Sequence, residues 1–150
     1  MRYLITGRNG QLAKAFMRRL DSISADYLAP DESQCDITNA AVIRDVVRSS
    51  RPDVIINCAA YNQVDRAEEE EGVAFSVNAA GPRTLAETAR DQGAFLVHFG
   101  SDYVFDGTKE NGLYRETDAT NPLNGYGRSK LAGERIVREI LPDRSIVFRL

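Results

Sequence analysis

The amino-acid sequence predicts an α/β fold in which helices cover both faces of one parallel sheet. Short runs of β-branched and other apolar residues alternate along the chain with segments whose apolar residues recur every three or four positions. The composition is typical of a globular protein, with 43% hydrophobic and 27% charged residues. A length of 150 residues suits one domain with a hydrophobic core.

Five segments are predicted to be strands because they are short, apolar and bounded by turn-forming residues. They are residues 2–6, 26–30, 53–60, 94–101 and 145–150. The third is apolar almost throughout, as expected for a strand buried on both faces. Because parallel strands are joined by right-handed crossovers, we expect a doubly wound, Rossmann-like sheet with strand order 2-1-3-4-5. Ligands of such sheets bind at the carboxyl ends of the strands, beside the switch point between strands 1 and 3.

Helices are predicted between the strands. Leu12, Phe16 and Leu20 mark the apolar face of the first helix. Thr38 or Asn39 is expected to cap the second helix, because either side chain can accept a hydrogen bond from a free backbone N–H group.

The second half of the chain contains longer segments. Residues 65–92 predict two helices separated near Gly81-Pro82, and the acidic run 68–71 is expected to be a solvated helix face. Residues 102–125 contain many turn-forming residues and predict a long irregular loop. Such loops are uncommon unless they have a function. A last helix is expected from about 126 to 141.

Charge and composition exclude several classes of function. The formal net charge is −3 and no basic block is present, which argues against a nucleic-acid partner. No apolar run reaches the length of a membrane span or a signal peptide, so no membrane partner is expected and the cytoplasm is the expected compartment. Cys35 and Cys58 lack metal-ligand spacing. With His98 as the single histidine, we expect no metal site and interpret His98 and Cys58 as core residues.

The first predicted strand is followed by a glycine loop of the form Gly7-x-x-Gly10-x-x-Ala13. Gly7 allows a tight turn, Gly10 allows close approach of a ligand to the backbone, and Ala13 allows close packing of helix on strand. A plain turn could have the same glycines. The position between the first strand and a helix favours a dinucleotide, whose pyrophosphate would bind the helix N-terminus.

The end of the second strand bears on the choice of cofactor. Asp31 and Glu32 lie there, and a carboxylate at this position accepts hydrogen bonds from the adenosine ribose and repels a 2′-phosphate. No Arg or Lys occurs between positions 20 and 43. The cofactor is therefore expected to be NADH or NADPH, with NADH favoured. The alternative interpretation of these carboxylates is a solvated acidic loop.

Three side chains are expected to meet at the carboxyl edge of the sheet. Ser101 ends the fourth strand, and Tyr126 and Lys130 follow four positions apart on the next helix, where they share one face. This set is suited to carbonyl reduction: Tyr126 would act as the general acid, Lys130 would lower its pKa and hold the ribose, and Ser101 would polarise the carbonyl. The alternative is a purely structural pair of Tyr126 and Lys130.

Longer motifs surround these residues. The chain contains "GRNGQL", "CDIT", "INCAAYNQVDRAE", "VNAAGP" and "SDYVFDG", followed by "NPLNGYGRSKLAGE". In these motifs the sequence resembles the extended short-chain dehydrogenase/reductases, and in particular the dTDP-4-dehydrorhamnose reductases. The resemblance covers essentially the whole chain. It implies reduction of the 4-keto group of dTDP-4-dehydro-β-L-rhamnose by NAD(P)H to give dTDP-L-rhamnose, with a nucleotide-sugar as the substrate.

The resemblance also implies roles for individual residues. Ser101, Tyr126 and Lys130 correspond to the catalytic triad, and Tyr103 and Phe105 would face the nicotinamide or the sugar. The remaining cofactor-binding residues would be Gly7, Asn9, Gly10, Gln11 and Leu12 at the pyrophosphate, Asp31 at the ribose, Asp36 and Ile37 at the adenine, Ala59, Ala60 and Tyr61 against the cofactor, and Asn78 approaching from the next helix.

The sequence departs from the family pattern in three places. Ala13 replaces the third glycine of the loop, and Gly100 precedes Ser101 where the family often has "STD". Family members also continue into a further strand–helix unit and a smaller C-terminal lobe that grips the nucleotide-sugar. Residues 1–150 are thus expected to be a truncated, dinucleotide-binding Rossmann domain that binds cofactor without necessarily turning over.

Two other functions stay open at this point. One is a nucleotide-sugar epimerase or dehydratase with bound NAD, and the other is a non-catalytic regulatory subunit of the same family. The sequence leaves the sugar and the oligomeric state open, with a homodimer as one assembly. It also leaves open whether a divalent cation bridges subunits.

Overall fold

The structure, a computed structural model, describes residues 1–150 and contains a five-stranded parallel sheet in the order β2-β1-β3-β4-β5. The strands are β1 (Arg2–Thr6), β2 (Asp26–Leu28), β3 (Val54–Asn57), β4 (Phe95–Gly100) and β5 (Ser145–Arg149). The helices are α1 (Gln11–Ser22), α2 (Ala40–Ser50), α3 (Glu71–Phe75), α4 (Gly81–Gln92) and α5 (Gly125–Ile140). The predicted fold class and strand order are confirmed, although β2 and β3 end earlier than expected.

The sheet is covered on both faces because successive side chains of a strand point to opposite sides. On one face, Leu4, Ile55 and Leu96 pack against side chains of α2, α4 and α5. On the other face, Ile5 and Ile56 pack against α1. The Asn39 side chain caps α2 by accepting hydrogen bonds from backbone N–H groups of its first turn. Asn39 was one of the two capping residues that the sequence predicted. The core thus holds the carboxyl ends of β1, β3 and β4 at one edge.

As predicted, a helix begins at Gly81 with Pro82 in its first turn, but no break separates it from the preceding helix. Helical backbone continues from α3 through a π-helical segment, Ser76–Ala80, directly into α4. Pro82 has no N–H to donate to the preceding turn, and a π segment is one way in which a helix accommodates this loss. A helix that bulges at this point presents Asn78 toward α5, as described below for the site.

The long loop between β4 and α5 is irregular, as predicted, apart from a 3₁₀ turn at Asp102–Val104. Its centre is the Asp106 carboxylate, which accepts hydrogen bonds from Asn121, Thr108 and Tyr114. These bonds, of which the bond from Asn121 has the largest effect, hold the pKa of Asp106 well below its ordinary value.

None of the helices in the structure combines the length and the apolar character that a membrane-spanning helix needs.

Close packing between α5 and the π segment predicts the effect of an added methyl group. A Cβ at Gly133 would lie 2.0 Å from the Asn78 carbonyl oxygen. Because α5 would have to move, we expect Gly133→Ala to lower the free energy of unfolding by about 3 kcal/mol, although alanine is the better helix former. Urea unfolding followed by circular dichroism measures this change.

Gly72→Ala is the matched control, since Gly72 also lies in a helix and nothing lies within 4 Å of a Cβ placed there. It should leave stability unchanged or raise it by up to about 1 kcal/mol. A Gly133→Ala variant as stable as Gly72→Ala would contradict the described contact between α5 and the π segment.

Candidate active site

The backbone of the loop between β1 and α1 packs directly against the backbone of the residues that follow β3. Gly7 has a φ of +68°, and a Cβ at this position would lie 2.6 Å from the Ala59 backbone nitrogen. Gly10 is the N-cap residue of α1, so the free N–H groups of a 12-residue helix start here. A ligand phosphate could therefore reach the free backbone donors at the start of α1.

A cleft of about 400 Å³ lies at this edge of the sheet. It is lined by eight of the predicted cofactor-binding residues: Gly7, Asn9, Gly10, Asp36, Ile37, Ala59, Ala60 and Tyr61. Six other predicted residues do not line it, namely Gln11, Leu12, Asp31, Asn78, Tyr126 and Lys130. Gln11 is exposed at the start of α1, and Leu12 packs against the core between α1 and the sheet. The cleft and its glycine floor fit a dinucleotide, which carries a flat base at each end and a pyrophosphate between them.

Asp31 lies in an adjoining cavity of about 780 Å³ rather than in the cleft itself. Its carboxylate oxygen Oδ1 accepts hydrogen bonds from the Ser33 hydroxyl at 2.6 Å and from the Gln34 backbone N–H at 3.1 Å. These bonds, with a smaller effect of the Arg8 charge, lower the pKa of Asp31. Arg8 lines the same cavity. The region therefore does contain a cation, although the segment between positions 20 and 43 has no Arg or Lys.

A buried row of polar side chains lies beneath the cleft. The Thr6 hydroxyl donates to the Asn57 side-chain oxygen at 2.6 Å, and the Asn57 side-chain nitrogen lies 3.1 Å from His98 Nδ1. Burial, together with the Lys130 charge, lowers the pKa of His98 to about 3, so the imidazole is neutral at pH 7. The expectation that His98 is a core residue is confirmed.

Asn78 joins the cleft to α5 without lining the cleft itself. Its side-chain oxygen accepts from the Tyr61 backbone N–H at 2.9 Å, and its side-chain nitrogen donates to the Tyr61 carbonyl at 3.0 Å and to the Ser129 hydroxyl at 2.9 Å. Ser129 in turn donates to the Tyr126 carbonyl oxygen at 2.7 Å. Asn78 is therefore in place to position Tyr61 and the first turn of α5.

Ser101, Tyr126 and Lys130 come together at the end of β4. All three are buried, and Lys130 Nζ donates a hydrogen bond to the Phe99 carbonyl oxygen at 2.7 Å, two residues before Ser101. The Ser101 hydroxyl lies close enough to Tyr126 to influence its pKa. The fold thus brings together the hydroxyl, phenol and ammonium that the sequence places far apart.

The expected lowering of the Tyr126 pKa by Lys130 is not found. Burial raises the pKa of Tyr126, and the nearby Ser101 hydroxyl opposes that rise. The Lys130 charge has no such effect on Tyr126, and its Nζ is bonded to Phe99. Burial also lowers the pKa of Lys130 to about 8.

Tyr103 and Phe105 line a third cavity, of about 520 Å³, beyond Ser101. The Tyr103 ring meets the Tyr126 ring edge-on, with 5.4 Å between centroids. The Phe105 ring lies beneath the Arg149 guanidinium, whose carbon is 5.0 Å from the ring centroid. Arg149 also forms a buried ion pair with Glu134 of α5, with N–O distances of 2.6 and 2.9 Å. These contacts attach the loop after β4 to α5 and β5.

The acidic run 68–71 is more than the solvated face that the sequence predicted. Glu68 accepts a hydrogen bond from the Gly125 backbone N–H, and Glu68 and Glu71 both pair with Arg128. Glu70 accepts from the Tyr61 hydroxyl at 2.7 Å. The run therefore fixes the N-terminus of α5 next to Tyr126. Only the opposite charges of the run and Arg128 could have indicated this from sequence.

The other titratable groups form neither a metal site nor a reactive thiol. No group of three or more His, Cys, Asp or Glu side chains is placed to hold a metal ion. Burial raises the pKa of Cys58 to about 12 and also raises that of Cys35. Both thiols are therefore protonated at pH 7 and poor nucleophiles.

The fold and the site together define a class of protein. A parallel sheet in the order 2-1-3-4-5 with a glycine loop before α1 is a Rossmann-like nucleotide-binding fold. Ser101, Tyr126 and Lys130 lie at its edge, and they are the three residues that the resemblance to short-chain dehydrogenase/reductases implies. Residues 1–150 match the family model described as RmlD substrate binding domain, and the chain belongs to this family.

Individual relatives agree with this assignment. The chain is 43% identical over 148 residues to the dTDP-4-dehydrorhamnose reductase of Streptomyces griseus, covering 99% of this chain and 48% of the relative. It is 45% identical over 149 residues to that of Aggregatibacter actinomycetemcomitans, covering 99% and 50%. The chain therefore spans about half the length of these curated relatives. The resemblance to dTDP-4-dehydrorhamnose reductases is confirmed.

Solved structures agree as well. A dTDP-4-dehydrorhamnose reductase from Clostridium acetobutylicum matches with a TM-score of 0.95 and 38% identity, over 99% of this chain and 52% of that one. The enzyme from Bacillus anthracis in complex with NADP matches with a TM-score of 0.93 and 41% identity, over 99% and 52%. A Thermus thermophilus UDP-glucose 4-epimerase complex with NAD, 21% identical with a TM-score of 0.90, shares the fold.

The burial of Lys130 predicts a stability that depends on pH. Below pH 8 both the folded and the unfolded chain hold the Lys130 proton, and the folded state bears the full cost of burying the ammonium. Between pH 8 and 10.5 the unfolded chain holds more protons, so this cost falls as pH rises. We expect Lys130→Met to raise the free energy of unfolding at pH 7 by about 1–3 kcal/mol, a gain that shrinks toward pH 10.5.

Urea unfolding of the chain at pH 7 and at pH 10 measures this difference. Lys14→Met is the control, because Lys14 is exposed on α1 and its replacement should change stability by less than about 0.5 kcal/mol at either pH. A Lys130→Met variant that is destabilised equally at both pH values would show that the ammonium carries no net burial cost.

Proposed function

We propose that the protein carrying this chain reduces the 4-keto group of a dTDP-4-dehydro-6-deoxy-sugar with NAD(P)H, converting dTDP-4-dehydrorhamnose to dTDP-L-rhamnose. One observation carries the proposal: Ser101, Tyr126 and Lys130 meet at the sheet edge that also holds a cleft suited to a dinucleotide. Relatives named dTDP-4-dehydrorhamnose reductase, at 43% and 45% identity, support the choice of substrate.

In this proposal the side chains polarise the substrate carbonyl and donate the proton. When bound, the cofactor supplies the hydride. The Ser101 hydroxyl donates a hydrogen bond to the substrate carbonyl oxygen and polarises it, and Tyr126 donates the proton that the developing alkoxide needs. The raised pKa of Tyr126 keeps the phenol protonated and thus ready to donate at pH 7. The Lys130 ammonium holds the nicotinamide ribose.

Residues 1–150 serve as the cofactor-binding part in this proposal. Gly7 and Gly10 would hold the pyrophosphate, Asp36 and Ile37 the adenine, and Ala59 the flat face of the cofactor. We propose NADH as the favoured cofactor, because three carboxylates line the cavity next to the cleft, namely Asp31, Glu32 and Asp36. The lobe that selects the sugar would belong to the part of the relatives that this chain does not span.

The setting of the protein follows from the substrate. A nucleotide-sugar is a soluble metabolite, so we propose that the protein acts in the cytoplasm. A homodimer stays a prediction, which sedimentation velocity can check.

Replacing the proposed general acid tests the function directly. In a protein that includes this chain and the remaining half found in its relatives, Tyr126→Phe should lower kcat for reduction of the 4-keto sugar by about 100-fold to 10,000-fold. The Kd for NADH should change by less than about threefold, because the ring and its packing remain. Steady-state kinetics and NADH fluorescence give the two values.

Tyr3→Phe is the matched control, since the Tyr3 hydroxyl contacts Met1 at the opposite end of the sheet. It should leave kcat unchanged. Full activity of Tyr126→Phe would refute the assigned role. Tight NADH binding without turnover in the unaltered protein would favour a regulatory subunit instead.

A further inference from the structure

A buried ion pair joins α5 to β5 next to Ser101. The Arg149 Nη2 and Nε atoms donate to the two carboxylate oxygens of Glu134, at 2.6 and 2.9 Å. Such a bidentate pair fixes both the distance and the orientation of its partners. Glu134 is buried and follows Lys130 by four positions on α5, as Lys130 follows Tyr126, so the three side chains form one buried stripe of the helix.

The pair packs against the backbone of the residue before Ser101. Arg149 is the β5 partner of Gly100 in the parallel sheet. A Cβ at Gly100 would lie 3.3 Å from the Glu134 carboxylate oxygen Oε2 and 3.3 Å from Arg149 Cγ. The Asp102 backbone N–H also donates to the carbonyl oxygen of the residue after Arg149, at 3.0 Å. The backbone on both sides of Ser101 is therefore held by β5, which the ion pair attaches to α5.

The other side of Arg149 contacts the loop after β4. The guanidinium carbon lies 5.0 Å from the centroid of the Phe105 ring, within the range of a cation–π contact. Phe105 in turn stacks on Tyr114, with 4.2 Å between the ring centroids. Arg149 and both rings line the cavity of about 520 Å³ beyond Ser101. Arg149 thus contacts β4, α5 and the wall of this cavity.

Stability alone does not account for this arrangement. Arg149 Nη1 is buried and has no hydrogen-bond partner, which is unfavourable for folding. Apolar residues of similar volume can often replace a buried ion pair without loss of stability. An apolar pair would nevertheless lack the planar fork that sets the position of β5 and Phe105 relative to α5. The retained charges therefore favour a role in the geometry of the site.

We propose that Glu134 and Arg149 are positioning residues of the reductase. Their ion pair holds Ser101 and Phe105 at the distance from Tyr126 that carbonyl reduction requires. Both residues act through these neighbours, and neither lines the cleft suited to the cofactor. The pair therefore contributes to kcat and leaves the affinity for NADH unchanged. The proposal rests on the proposed function, since it requires a carbonyl substrate beside Ser101.

Kinetics of the protein that includes this chain and the remaining half found in its relatives test the proposal. Glu134→Gln removes one charge of the pair and keeps the side-chain volume. It should lower kcat for reduction of the 4-keto sugar by about tenfold to a hundredfold, because small displacements of positioned groups have effects of this size. The Kd for NADH, measured by nicotinamide fluorescence, should change by less than about threefold.

Three further variants separate positioning from stability. Glu134→Met combined with Arg149→Met replaces the ion pair by an apolar contact, so urea unfolding should show unchanged stability while kcat still falls by about tenfold to a hundredfold. Arg149→Lys keeps the charge without the planar fork, and its kcat should lie between those of the double variant and the unaltered protein. Arg138→Gln is the matched control, because exposed Arg138 also pairs with Glu134, but at 3.8 Å, and kcat should stay unchanged.

The outcomes separate this proposal from the proposed function. A folded double variant whose kcat stays within about threefold of the unaltered value would overturn the positioning role while the reductase assignment stands. Equal losses of kcat and of NADH affinity in Glu134→Gln would overturn it as well, because the pair would then support the fold in general. An unaltered protein that binds NADH but reduces no 4-keto sugar would overturn both.

Discussion

Helix α5 can carry its functional side chains to the sheet edge only because it packs in backbone contact with the π segment. Gly133 provides the room, and the Asn78 carbonyl fills it. The Asn78 side chain then bonds both to the backbone of Tyr61, which lines the cleft, and to Ser129 on α5. One buried amide therefore fixes the spacing between the part of the molecule suited to a cofactor and the helix that bears the phenol and the ammonium.

The buried charge of Lys130 lowers the stability of the folded chain. Lys130 is 4% exposed to solvent, the one hydrogen-bond acceptor of its ammonium is the Phe99 carbonyl, and burial lowers its pKa to about 8. Buried ions without a full charge partner are unfavourable for folding. A chain selected for stability alone would place an apolar residue here, so the retained lysine supports a role in binding or chemistry. The buried pair of Glu134 and Arg149 differs, because each ion there has its counter-ion.

The sequence predicted those features that depend on local pattern and on topology. The strand order follows from the alternation of strands and helices, and the tight turn at Gly7 follows from the glycine loop. The spacing of Tyr126 and Lys130 predicted a shared helix face, and the fold brought Ser101 to it. These features rest on periodicity and chain connectivity, which a single sequence contains.

The features that the sequence missed depend on contacts between distant segments. The backbone stays helical up to Gly81-Pro82, through a π segment that packs on α5. Glu68 acts at the N-terminus of α5, 57 residues further along the chain. Arg8 reaches the end of β2 from another loop. The pKa of Tyr126 depends on burial, which residue spacing alone does not determine. Such contacts can be identified only from a three-dimensional structure.

The most direct test of the account asks whether the cleft and the Tyr126–Lys130 pair form one site. We would record ¹H–¹⁵N correlation spectra of the chain during titration with NADH. The account predicts that the amide signals of Gly7, Gly10, Ala59 and Lys130, from three separate segments, shift together with one Kd. Shifts confined to the β1–α1 loop, with no change at Lys130, would contradict it, because α5 would then lie outside the cofactor site.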